Sequence, residues 1–391
     1  MKVLISAYAC GPDEGSEPGA GWAFVRAAAE NHEVWVVTRR RFEQSIERHR
    51  AADPVLRERL HVTYHDLGDR LLKAKKRPRD VYWYYTLWQR DLGRIAERLH
   101  REVGFDVAHH VTFAADWLPC GVRRLRDVPL VWGPVGGATR PPWRLAQRWL
   151  GTRGIVGELI RTPFTELARR TLGDPVARQA ELTVALNDDV ARRFRHARRV
   201  VVEPNSSIDL SDVPPAALDR EPGKRAVFVG RLVGWKGVRL AVATIAHPEA
   251  AGWTLDFYGA GPEREALAAE VDRLGLGERV RFLGMRPRDE VLAAVRDADA
   301  MLFPSLHDSA PWAVAEAATL GCPVVCLELG GPPLLAGAAG RVVAPHGDVI
   351  GELARALAST DKTRPEPTLR WSPARLPGVV DDWYQSVVKA R

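Results

Sequence analysis

Two α/β domains, each a doubly wound parallel sheet covered by helices on both faces, are the fold class this sequence predicts. Three observations carry the expectation. The chain has 391 residues, too many for one ordinary hydrophobic core. Short, nearly continuous apolar runs alternate with longer helical patterns, as strands buried on both faces do. The alternation breaks once, at PNSSIDLSDVPPAALDREPGKR (204–225), a proline-, serine- and charge-rich stretch suited to a linker, and then restarts. The expected division is 1–205, 206–372, and a last helix over 373–391 that crosses back to the first domain.

The elements follow in order. KVLISAYA is a strand, GSEPGAG a loop and GWAFVRAAAEN a helix. HEVWVVTR, FDVAHHV, PLVWGPV, ELTVALN and RVVVEPN are the further strands of the first half. After the break come RAVFVG (strand), VRLAVATIA (helix), TLDFYG (strand), PEREALAAEVDRLG (helix), VRFLG (strand) and RDEVLAAVRDA (helix). AMLFPS (strand), PWAVAEAATLG (helix), PVVCLELGG (strand) and the terminal helix GVVDDWYQSVVKA complete the second half.

Composition narrows the function. Hydrophobic residues make up 46% and charged residues 27%, the balance of a soluble protein with well-filled interiors. No uncharged apolar run reaches the ~18 residues of a membrane span. The opening MKVLISAYACG is too short an apolar run for an export signal and is followed at once by acidic, glycine-rich sequence, so a cytoplasmic protein is expected. Cys10, Cys120, Cys322 and Cys326 are scattered, which gives neither a disulfide framework nor a zinc cluster. The net charge of +7 suits an anionic partner, but no zinc-finger spacing, RNP-like motif or basic repeat accompanies it, which argues against nucleic acid. Two stretches, 73–90 and 140–154, mix cations with aromatics and suit the inner face of an anionic membrane as well as a solvated face.

The chemistry-bearing motifs cluster in the second half. VFVGRLVGWKG puts Gly230 and Arg231 at a strand end and Lys236 five residues later. In an open parallel sheet ligands bind beyond the strand C-termini, and two cations on such a loop suit a diphosphate. FYGAGPE supplies Gly259 and Gly261, which allow close backbone approach. HDSAPWAVAE carries Asp308 and Glu316 eight residues apart across a helix start, where Asp308 or Ser309 is a natural N-cap. A helix N-terminus is a ready anion site, so a diphosphate there would leave a sugar near Asp308 and a ribose near Glu316.

Arg231 and Lys236, the GAG turn, and Asp308 to Glu316 followed by GCPVV resemble, in order and spacing, the retaining glycosyltransferase family 4. ACGPDEGSEPGAGW, FDVAHHVTF and VWGPVGG resemble one branch of it. The resemblance implies the GT-B fold, two Rossmann-like domains facing across a cleft. It implies a nucleoside-diphosphate sugar as donor, UDP favoured over GDP, no metal cofactor, and an acceptor hydroxyl on the N-terminal domain, where the cation–aromatic stretches 73–90 and 140–154 suit a lipid-linked or anionic acceptor. By resemblance Arg231 and Lys236 hold the diphosphate and stabilise the leaving group, Glu316 holds the ribose, and Asp308 contacts the transferred sugar. Gly19, Gly230, Gly259, Ser309, Trp312 and Ala313 lie around the donor, and His109 or His110, with His110 preferred, sits beside the reacting sugar. Two departures stand out: Asp308 occupies a position usually glutamate, and Pro311 one commonly glycine, with no N–H to offer a phosphate.

Asp297-Ala-Asp299 resembles a metal-binding DxD, but its place at a helix end suits a solvated turn. A nicotinamide oxidoreductase lacks support, because GSEPGAG is not a GxGxxG and no acidic residue follows at the usual strand end. A GT-B nucleotide-sugar epimerase and a non-catalytic nucleotide-sugar binder are the alternatives to a transferase.

Overall fold

The computed structural model describes residues 1–77, 79–210, 223–361 and 364–390. The chain forms two compact units: Met1–Ala138 with Thr162–Ser207 and Ser372–Arg391, and Thr139–Arg161 with Ile208–Trp371. Residues 139–161, which the sequence reading placed in the first domain, pack with the second, because Leu145, Ala146 and Leu150 are buried in its core. Most of the expected linker, 211–222, lies outside the described residues.

The first unit is built from β1 (Lys2–Ala7), α1 (Ser16–Asn31), β2 (Glu33–Thr38), β3 (Leu60–Tyr64), α2 (Asp69–Ala74), α3 (Asp80–Val103), β4 (Val107–Thr112) and β5 (Leu130–Val135). Between β5 and the last strands of this unit, β6 (Leu182–Ala185) and β7 (Val200–Val202), the chain forms α4 (Trp143–Trp149), which belongs to the second unit, and α5 (Gly151–Ala168), which belongs to the second unit up to Arg161 and to the first from Thr162. The strands pair in parallel in the order β3-β2-β1-β4-β5-β6-β7. Alternate residues of a strand face opposite sides of a sheet. Val3, Ile5 and Ala7 of β1 therefore join one core, while Leu4 joins the other with Tyr84, Tyr85, Trp88 and Leu92 of α3.

The second unit contains β8 (Arg225–Val229), α6 (Val238–Ala246), β9 (Thr254–Tyr258), α7 (Arg264–Arg273), β10 (Val280–Gly284) and α8 (Arg288–Asp297). It continues with β11 (Ala300–Phe303), α9 (Trp312–Thr319), β12 (Val324–Leu327), β13 (Gly340–Val343) and α10 (Val349–Ala358). Its parallel sheet runs β10-β9-β8-β11-β12-β13. Phe228, Phe257 and Phe303 meet at its centre, with ring centroids 5.1 and 5.6 Å from that of Phe228. The last helix, α11 (Leu376–Lys389), belongs to the first unit, where Leu376, Val380, Trp383 and Tyr384 share a core with Phe24 and Val25 of α1.

Both sheets reverse their winding direction once, between β1 and β4 and between β8 and β11. At such a switch point the loops leaving the two strands diverge and open a crevice at their carboxyl ends. In the second unit those loops are Gly230–Gly237 and Pro304–Pro311, the two that carry Arg231, Lys236 and Asp308.

Candidate functional site

The β8 exit is shaped by glycine. Gly230 and Gly259 adopt φ of 152° and 142°, and a Cβ on Gly259 would lie 2.0 Å from the Gly230 carbonyl oxygen. A Cβ on Gly261 would lie 2.3 Å from the Leu232 oxygen. The GAG turn thus spends its close approach on the neighbouring loop, held by Gly230 N–H to Tyr258 O at 2.9 Å and Leu232 N–H to Ala260 O at 3.0 Å. The chain then makes a 3₁₀ turn over Gly234–Lys236 and enters α6 through Gly237, φ 72° and ψ 22°. A Cβ on Gly237 would stand 1.9 Å from the Pro304 oxygen, so only glycine lets this turn lie against the β11 exit.

That contact brings Lys236 to Asp308. Lys236 Nζ donates to Asp308 Oδ2 at 2.5 Å, and the ammonium also sits 5.2 Å from the centroid of the Phe303 ring. The pair is mostly shielded, with the Lys236 and Asp308 side chains 19% and 15% exposed. Ser305 Oγ lies 3.1 Å from the Trp235 carbonyl and 3.3 Å from Asp308 Oδ2, tying the two loops together. Arg231, on the same loop as Lys236, is exposed and makes no side-chain hydrogen bond or ion pair among the described residues.

The Asp308 carboxylate is therefore not the N-cap that the sequence suggested. Pro311 occupies that position, with no side-chain cap, and α9 begins at Trp312. The lysine competes successfully for the carboxylate because a charge-assisted bond in a shielded site outweighs a cap to neutral amides. The main chain of Asp308 and Ser309 is set by the loop after β12. Gly331 N–H donates to Asp308 O at 2.9 Å, and a Cβ on Gly331 would lie 2.0 Å from Ser309 O. The first-turn amides of Trp312 and Ala313 have no intrahelical acceptor, as at any helix start. The Trp312 indole Nε1 is buried and makes no hydrogen bond among the described residues.

Glu316 follows one turn into α9, and its Oε1 accepts from the Arg288 guanidinium of α8 at 2.8 Å. Burial raises the Glu316 pKa, and Arg288 opposes that rise. Asp297 and Asp299 do not act together. Asp299 Oδ2 accepts the backbone N–H of Gly223 and Arg225 at 3.1 and 2.8 Å, whereas Asp297 pairs with Arg296 at 2.7 Å. Among the described residues no group of three or more His, Cys, Asp or Glu is arranged to hold a metal.

The first unit positions its candidates differently from the sequence reading. The segment read as the loop GSEPGAG is helical from Ser16, so Gly19 is a buried residue of the first turn of α1. A Cβ on Gly21 would lie 2.0 Å from Ala9 O, so this glycine lets α1 press against the β1 exit. His109 and His110, successive on β4, do point to opposite faces, and both are buried. His109 Nδ1 meets the Tyr384 hydroxyl and Nε2 the Gly133 carbonyl, each at 2.7 Å, and burial lowers its pKa to about 3. His110 Nε2 meets the Tyr85 hydroxyl at 3.3 Å in a network with Gln89, and burial lowers its pKa to about 4. Burial favours the neutral form of both rings, and these contacts hold them in the core.

A residue that the sequence reading passed over is Glu17. It lies in the first turn of α1, accepts the Ala114 N–H beyond β4, and has its pKa raised to about 7 by burial. Its signal was an acidic residue at a helix start, hidden because that start was read as a loop.

Residues 223–360 match the family model described as Glycosyl transferases group 1. The 2-deoxystreptamine glucosyltransferase of Streptomyces kanamyceticus is 34% identical over 155 residues, 36% of this chain and 40% of that protein. The D-inositol 3-phosphate glycosyltransferase of Corynebacterium efficiens is 30% identical over 263 residues, 59% of this chain and 62% of that protein. The chain thus spans about half the length of the curated relatives it matches. Among solved structures, sucrose-phosphate synthase from Thermosynechococcus elongatus matches the whole of both chains with a TM-score of 0.66 at 16% identity. Anabaena HepE, solved in complex with UDP, matches 99% of this chain and 100% of its own with a TM-score of 0.56 at 17% identity. These likenesses establish the fold, two Rossmann-like units of the GT-B type.

Proposed function

We propose that the protein, whose residues 223–360 match the glycosyl transferases group 1 model on a chain of GT-B fold, transfers a sugar from a nucleoside-diphosphate sugar to an acceptor hydroxyl. UDP is the favoured nucleotide, the anomeric configuration is retained, and no metal takes part. The observation that carries this reading is the Lys236–Asp308 pair at the switch point of the second sheet, beside Arg231, which is unpaired among the described residues, and the start of α9, which has no side-chain cap among them.

In the proposed reaction Lys236 exchanges Asp308 for a phosphate oxygen, and Arg231 adds its planar fork. The amides of Trp312 and Ala313 contribute from the helix start, although Pro311 cannot. Asp308, released, accepts hydroxyls of the transferred sugar, and Glu316 exchanges Arg288 for the ribose hydroxyls. The bond from the anomeric carbon to the departing phosphate breaks while the acceptor oxygen bonds to the same carbon on the same face. The acceptor proton passes to the leaving diphosphate. The protein's contribution is chiefly electrostatic stabilisation of that leaving group, so removing one cation costs ~10²-fold or more in turnover. Donor hydrolysis and transfer by Lys236→Ala provide the test, and near-normal turnover would sink the assignment.

A further inference from the structure

The end of α5 that belongs to the first unit is built inside out. Phe164 and Leu167 are 62% and 64% exposed. At 3.6 residues per turn the two lie about 60° apart, on one side of the helix. The opposite side faces protein: Thr165 is buried, and Arg169, just past the helix end, donates to Asp116 and Glu166, each at 2.7 Å. Asp116 is fully buried and Arg169 is 2% exposed. Rolling the helix to hide its apolar side would separate two buried charges, which is strongly unfavourable. The fold therefore fixes that side outward, where it marks a contact surface.

Its surroundings indicate what it contacts. Phe164, Ala168 and Leu172 form one wall of a groove of about 430 Å³ whose other walls include Tyr82, Trp83 and Trp117. Arg79 lines the same groove, and Lys73, Lys76 and Arg77 just before it are exposed. Leu71 and Leu72 of α2 and Tyr82 of α3 are exposed among these cations. Apolar side chains, aromatic rings and lysine or arginine together suit the boundary of an anionic bilayer, where apolar groups insert and cations meet the headgroups.

We propose that the C-terminal end of α5 and the basic segment leading into α3 dock the protein on an anionic membrane surface, and that the groove beside Phe164 takes an apolar chain of a lipid-borne acceptor. The acceptor clause rests on the transferase reading; the docking does not. The full chain is tested by co-sedimentation with vesicles of phosphatidylcholine alone and of phosphatidylcholine with phosphatidylglycerol. Binding is expected to the anionic vesicles and to fall by about tenfold or more in Phe164→Glu/Leu167→Glu. Lys76→Glu/Arg77→Glu is expected to weaken it by about fivefold or more, with loss of its salt dependence. Leu369→Glu, at a residue 79% exposed elsewhere, is expected to bind as the unaltered protein does. Thermal melting of each variant separates lost docking from lost folding. No binding to either vesicle, or equal binding to both, overturns the proposal. So does a dimer in sedimentation that Phe164→Glu/Leu167→Glu dissociates, since a second copy would then cover that side of the helix. UDP-induced stabilisation, read without vesicles, reports on the donor site separately.

Discussion

Gly237→Ala tests how the Lys236–Asp308 pair is assembled. The residue sits at φ 72° and ψ 22°, where an L side chain costs roughly 1–2 kcal/mol. Its Cβ would also stand 1.9 Å from the Pro304 oxygen and 2.6 Å from the Pro304 carbon, both backbone atoms that cannot rotate away. Forcing such a contact adds roughly 1–3 kcal/mol. The combined loss is roughly 2–5 kcal/mol, and each kcal/mol lowers melting by about 2–4 °C in a unit of this size. Gly275→Ala is the internal control. It has φ 66°, but its Cβ would meet nothing within 4 Å, so only the conformational cost of roughly 1–2 kcal/mol applies. Thermal melting of both variants, with and without UDP, is the assay. Gly237→Ala is expected to melt several degrees lower and to lose UDP-induced stabilisation, because the shift moves the Lys236 turn. Gly275→Ala is expected to keep that stabilisation. A Gly237→Ala protein that melts no lower than Gly275→Ala and binds UDP normally would refute the reasoning.

Three further outcomes follow from the same geometry. Asp308→Ala releases Lys236, so UDP binding is expected to hold or tighten while transfer falls by roughly 10²-fold; weakened UDP binding in calorimetry would contradict the exchange of partners. Glu17 has a folded pKa of about 7 against a model-peptide value of 4.5, so folding takes up its proton and its contribution to stability is lost as pH rises through that window. His109 and His110 are depressed to about 3 and about 4 from 6.5, so their contribution is lost as pH falls below 6.5. Glu17→Gln therefore removes the opposing proton, and between pH ~5 and ~6 unfolding free energy in urea is expected to climb with pH more steeply by roughly 1 kcal/mol per pH unit. An unchanged slope would show that the Glu17 carboxyl titrates normally.

The sheets were legible because most of their strands are continuous apolar runs between glycine and polar punctuation. VRLAVATIA matched α6 residue for residue, and AMLFPS covered β11 but ran two residues past its end. The strands not read were β3 and β13, LHVTY and GRVV, which lie at sheet edges, are largely half-exposed, and so carry no apolar run. GSEPGAG was read as a loop because proline and glycine punctuate most sequences. Here Pro18 is tolerated in a first helical turn, and Gly21 is demanded by the Ala9 carbonyl, which no local pattern reveals. In the second unit, spacing was enough to place Arg231, Lys236, Asp308 and Glu316 on loops and a helix at strand ends. It could not tell that Asp308 bonds Lys236 rather than capping α9, since that depends on a turn pressed against Pro304 across about 70 residues of chain. The outward apolar side at the C-terminal end of α5 was likewise hidden, because its direction is fixed by the buried Arg169–Asp116 pair. Sequence periodicity shows that a helix has two sides without showing which one faces water.

The most direct test of the donor site is thermal melting with UDP and with GDP in the presence of a chelator, on the unaltered protein, Lys236→Ala and Glu316→Ala. At a hundred times its dissociation constant a bound nucleotide stabilises by about 2.7 kcal/mol. The expected result is a clear rise with UDP, larger than with GDP, that is reduced in both variants. Melting unchanged by either nucleotide, or a rise equally large in Lys236→Ala and Glu316→Ala, would contradict the assignment of the donor to the crevice between β8 and β11.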